Sequence, residues 1–147
     1  MSTNSAGSSI VTKVQVAPYA AKKGEAYMSL GQVEHFKHLL MQWKASLLNN
    51  VDVTVSHLQG DAGHVADMND RATQEEEFSL ELKTRDRERK LIPKIDEALH
   101  ALSSGEYGYC EECGIEIGIR RLEARPTATL CIECKTLQEV KERQTGV

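Results

Sequence analysis

Val33-Glu34-His35-Phe36-Lys37-His38-Leu39-Leu40-Met41-Gln42-Trp43-Lys44-Ala45-Ser46-Leu47 is the stretch on which the fold turns. Val33, Phe36, Leu40, Trp43 and Leu47 recur at steps of 3, 4, 3 and 4, and Val51, Val55 and Leu58 follow at 4, 4 and 3. Such steps hold side chains on one narrow stripe of an α-helix, the seam by which a helix packs on another helix. The pattern predicts a helix over about 30–59, roughly 45 Å long at 1.5 Å per residue. Gly60-Asp61-Ala62-Gly63 ends it, because two glycines in four residues disfavour continuation.

Downstream, Asp67-Met68-Asn69-Asp70 offers three helix-capping side chains, and Glu75, Glu76 and Glu77 suit the positive end of a helix dipole. Phe78 and Leu82 open an apolar face that Ile92, Ile95, Leu99 and Leu102 resume at steps of 3, 4 and 3. Pro93 lacks the N–H that would reach the Arg89 carbonyl, so the helix bends there or one helix ends near Lys90 and another begins. From Lys83 to Lys90 no residue is apolar. That run is either a solvated face laced with ion pairs or a polar face shown to a partner. Two long helices joined by about ten residues make an antiparallel hairpin.

The rest of the composition fits a thin molecule. In 147 residues there are one Trp, four Tyr and two Phe, too few large rings for a thick core. The formal net charge of −4 argues against non-specific binding to phosphate backbones. No segment resembles a secretory signal or a membrane span, which places the chain in the cytoplasm. Residues 1–28 are small and polar with little periodicity and read as a flexible N-terminal arm with one short ordered piece.

In a reducing compartment four cysteines point to metal. Cys110-Glu111-Glu112-Cys113 and Cys131-Ile132-Glu133-Cys134 form C-x2-C-x17-C-x2-C, the spacing of a tetrahedral zinc site. Four thiolates leave no open position for water, so one zinc ion per chain serves structure rather than catalysis. With zinc bound the net charge becomes about −6. The loop between the knuckles carries Arg120, Arg121 and Arg125, with Lys135 just beyond. These cations either pair with Glu111, Glu112, Glu116 and Glu123 or contact phosphate, as a zinc-ribbon nucleic-acid binder would use them. A thiol oxidoreductase is the third possibility. Lys135 to about Arg143 reads as a short C-terminal helix. His35 and His38 lack a third ligand and read as a solvated pair. Phosphate-binding loops, dinucleotide fingerprints and nucleophile elbows are absent, so no enzyme activity is expected. The chain is thus mainly α: a coiled-coil hairpin over 29–104 with its tip at about 60–72, then a zinc finger with a short helix over 105–147.

Asp67-Met68-Asn69-Asp70-Arg71-Ala72 resembles the D-x-x-D-x-A tip motif of the DksA family of bacterial transcription factors. Residues 74–91 (QEEEFSLELKTRDRERKL) and 108–136 (GYCEECGIEIGIRRLEARPTATLCIECKT) are similar to the same family. The resemblance implies a monomer that binds RNA polymerase rather than specific DNA or membrane. Its coiled coil would enter the secondary channel and alter initiation together with the alarmone ppGpp. Ribosomal RNA promoters would be repressed and amino-acid biosynthesis promoters helped. By position, Asp67, Asp70 and Ala72 would form the tip. Leu91, Lys94, Arg125 and Lys135 would meet ppGpp, and Arg87 the rim of the polymerase channel.

Overall fold

The computed structural model describes residues 14–60 and 68–145. Helix α1 (Leu30–Gly60) is followed by α2 (Met68–Arg89), α3 (Leu91–Ser104), α4 (Ile119–Ala124) and α5 (Ile132–Thr145). The first two arms run antiparallel, because partners on one rise in number as those on the other fall. Thr54 Oγ1 donates to Glu81 Oε1 at 2.9 Å, Lys44 pairs with Asp96 at 2.7 Å, and the Phe36 and Tyr107 rings lie 5.6 Å apart. Only Lys90 separates α2 from α3. Pro93 then falls in the first turn of α3, where a backbone N–H would have no partner in its own helix.

The core lies at the base of the hairpin. Phe36, Leu39, Leu40 and Ile95 are fully buried there, joined by Trp43, Leu47, Ala98, Leu102, Tyr107 and Leu122. Val33, Phe36, Leu40, Trp43 and Leu47 lie on this core as their spacing predicts. Leu39 was not on the predicted seam, yet it is fully buried. The seam describes a helix with one partner, whereas α1 meets both α3 and the residues around the cysteines, so its buried face is wider. Further out, Thr54 is buried, and its Oγ1 also lies 3.0 Å from the Asn50 carbonyl, so the two acceptors share its one proton. The side chains of Val55 and Leu58 lie outside the described residues. Leu82, expected on the apolar face, is 44% exposed.

The ordered piece of the N-terminal arm is Val14 to Ser29, which lies along the base without regular secondary structure. Residues 1–13 are outside the described residues. His35 is a correction to the solvated pair: its side chain is nearly buried and its Nε2 lies 3.0 Å from Glu123 Oε2.

Candidate metal centre and adjoining groove

The two C-x2-C knuckles form from short local bonds. Cys110 N–H donates to the Ile115 carbonyl at 2.8 Å, Gly114 N–H donates to the Cys110 carbonyl at 2.9 Å, and an antiparallel bridge joins Tyr109 to Glu116. The second knuckle opens α5, whose Cys134 N–H points at Cys131 Sγ. The four sulfurs all lie within 4.8 Å of one another, and Cys113 and Cys131 are 3.7 Å apart. A zinc–sulfur length near 2.3 Å in a tetrahedron requires sulfurs about 3.8 Å apart, so the set fits one zinc ion. Four sulfurs so close cannot all ionise unaided. Contacts with the sulfurs of Cys131 and Cys110 hold the Cys134 thiol above its ordinary range. Burial pushes Cys110 up, but backbone N–H groups outweigh it and bring the thiol down to about 6. A bound dication supplies the charge that keeps all four as thiolates.

Polar bonds hold the module together and tie it to the hairpin through His35 and Glu123, alongside apolar packing. Tyr107 donates its hydroxyl to the Pro126 carbonyl at 2.7 Å, and burial pushes the phenol well above its ordinary range, so it stays protonated. Glu123 accepts from the Tyr19 N–H at 2.6 Å and meets His35. Arg121 donates Nε to the Leu130 carbonyl at 3.1 Å. Of the groups weighed in the loop, Glu123 meets His35 and Arg121 donates to a backbone carbonyl.

Between α3 and the zinc module opens a groove of about 1030 Å³. Leu91 and Lys94 line it from α3, Arg125 from the end of α4 and Lys135 from α5. Four residues scattered over 45 positions thus share one groove. Arg121 adds a fourth cation to its lining, which also carries Glu97, Glu106, Glu111 and Glu112.

Further along the hairpin, Arg87 is exposed and has no ion-pair partner among the described residues. Its neighbours are paired: Arg85 with Glu88, and Asp86 with Arg89 and Lys90. Hydrogen bonds from Lys90 and then Arg89 hold the Asp86 carboxyl below its usual range. At the far end Asp70 and Ala72 are exposed in the first turns of α2, and Asp67 lies outside the described residues. No helix among the described residues is long and apolar enough to cross a membrane.

Fold and site together define a helical hairpin that carries a four-cysteine zinc finger. The chain belongs to the DksA family. Residues 32–102 match the model of the DnaK suppressor protein DksA N-terminal domain, and residues 105–139 match the prokaryotic dksA/traR C4-type zinc finger. The RNA polymerase-binding transcription factor DksA of Salmonella typhimurium is 57% identical over 92% of this chain and 90% of its own length. The protein of that name from Escherichia coli K12 is 56% identical over the same shares. The one from Haemophilus influenzae is 52% identical over 94% of this chain and 95% of its own. The solved structure of transcription factor DksA2 from Pseudomonas aeruginosa superposes with a TM-score of 0.68 at 44% identity, over 80% of this chain and 91% of that one.

Proposed function

We propose that this chain is a cytoplasmic transcription factor that binds RNA polymerase directly, as a monomer, and modulates initiation from the secondary channel together with ppGpp. The observation that carries the reading is the 57% identity, across 92% of the chain, to a protein named for binding RNA polymerase. The geometry supports it. A pair of packed helices is roughly 20 Å across, a probe thin enough for a channel. Asp70 and Ala72 are exposed at the end opposite the packed base. Carboxylates at such a tip, Asp67 and Asp70, would act on metal ions or mobile loops at the polymerase centre.

The groove supplies the alarmone side. Lys94, Arg125 and Lys135 would hold pyrophosphate oxygens by charge-assisted hydrogen bonds, and Leu91 would cover an apolar face. Arg87, exposed and without an ion-pair partner among the described residues, would meet the channel rim. Ribosomal RNA promoters would be repressed and amino-acid biosynthesis promoters assisted.

The test is a pull-down with core RNA polymerase, with and without ppGpp, followed by single-round transcription with the promoter-competent holoenzyme. Asp67→Asn combined with Asp70→Asn is expected to keep polymerase binding and lose inhibition at a ribosomal RNA promoter. Full inhibition by the double variant would overturn the tip mechanism. Salt-dependent affinity for naked duplex DNA, with a slope set by several phosphates, would instead favour a nucleic-acid binder.

A further inference from the structure

We propose that Tyr27 and Tyr19 are positioning residues: Val14–Ser29 form a strap that fixes the zinc module on the hairpin base and so sets how far Lys94 stands from Arg125 and Lys135. The alarmone part of this statement rests on the reading of the groove given above. The strap touches three separate parts of the molecule. Its Tyr19 N–H donates to Glu123 Oε2 on α4 at 2.6 Å, and the Tyr19 ring lies 5.4 Å from His35 on α1. Its Tyr27 hydroxyl donates to the Gly108 carbonyl at 2.8 Å and accepts from the Gly118 N–H at 3.0 Å. Gly108 and Gly118 stand on either side of the first cysteine knuckle, so one hydroxyl clasps both ends of that loop. The Tyr27 ring meets Tyr109 edge-on at 5.6 Å. Within the strap, Glu25 gathers the hydroxyls of Tyr19 and Ser29 and the Lys22 N–H.

The surface beneath is shaped for these contacts. At Gly108, with φ +94°, a Cβ would stand 3.0 Å from the Tyr27 hydroxyl oxygen and 3.2 Å from Met28. At Gly31 a Cβ would stand 2.9 Å from the Tyr19 hydroxyl oxygen. Both places where the tyrosines press closest therefore carry no side chain. Tyr27 itself does not line the groove, but Gly108 and Tyr109, which it holds, do. Lys94 belongs to the hairpin, whereas Arg125 and Lys135 belong to the zinc module. A shift of the module on its base changes their separation directly.

Two variants of the full-length, zinc-loaded protein test the strap. Tyr27→Phe keeps the ring against Tyr109 and removes both hydrogen bonds. Gly31→Ala adds helix propensity to α1 and displaces the Tyr19 hydroxyl, so misfolding is not a concern there. Residual dipolar couplings report whether hairpin and module share one alignment tensor. We expect one shared tensor for the parent and two for each variant. In Tyr27→Phe the ppGpp concentration for half-maximal effect should rise by at least about fivefold, the equivalent of one of the two hydrogen bonds lost. Zinc content and polymerase affinity without ppGpp should stay unchanged. One shared tensor in both variants would overturn the strap. Two tensors with an unchanged ppGpp response would overturn its link to the groove. If the parent itself ignores ppGpp, the groove reading fails, and the tensors alone decide whether the strap orients the module.

Discussion

The two ends of the hairpin are built on different principles. At the base, six side chains (Phe36, Leu39, Leu40, Ile95, Leu122 and Pro126) are fully buried. Along α2, by contrast, no described side chain is fully buried, and Leu80 and Leu82 are 62% and 44% exposed. The outer arm is held by half-buried Phe78, by the Thr54–Glu81 bond and by ion pairs such as Arg85–Glu88. An arm that exposes nearly its whole surface relies on helix propensity and local charge. The base carries the packing that keeps the chain folded.

Loss of metal should test that division most severely. Zinc binding in small modules is worth on the order of 10 kcal/mol, and chelation should abolish amide-exchange protection over 110–134 while most of the hairpin's helical signal survives. Equal loss at both ends would show that they are not independent. Phe36→Ala should cost about 3–5 kcal/mol in denaturant unfolding, because it opens a cavity in a site with no exposure. Thr54→Val, which keeps the shape and removes the hydroxyl, should cost about 1 kcal/mol. A cost rivalling that of Phe36→Ala would mean that the outer arm depends on its buried polar layer as heavily as the base depends on its core.

Acid should reach the strap before the core. Glu25 is lowered from 4.5 to about 2, first by the Ser29 hydroxyl, then by the Tyr19 hydroxyl and the Lys22 N–H. A depressed carboxylate stabilises the fold fully above its ordinary pKa and loses that effect as pH falls through the depressed one. Tyr19 ring signals in nuclear magnetic resonance should therefore shift between pH 4.5 and about 2. The smallest effect belongs to Leu82→Ala, which should stay within about 0.5 kcal/mol at an exposed position.

Periodicity made the long elements legible. The steps along 33–58 and the glycines that follow placed α1 to within a residue at each end, and Pro93 pointed to the break that falls at Lys90. The metal centre was equally plain, because two C-x2-C knuckles have few other uses. Leu39 escaped because a two-helix seam takes no account of a third partner. The strap escaped for a deeper reason. Tyr19 meets Glu123 across 104 positions, and Tyr27 meets Gly108 across 81, through single side chains with no repeat to betray them. The groove was equally invisible to local pattern, since Leu91, Lys94, Arg125 and Lys135 come from three elements. Only the resemblance named them together before the fold placed them on one surface.

The one-residue interruption at Lys90 has a mechanical consequence. Beyond it α2 extends 22 residues, about 33 Å at 1.5 Å per residue. A lever of that length turns a bend of roughly 5° at its pivot into a displacement of about 3 Å at its end. The pivot lies beside Leu91, on the edge of the groove, so a ligand pressing there would have leverage over the distant acidic end without touching it.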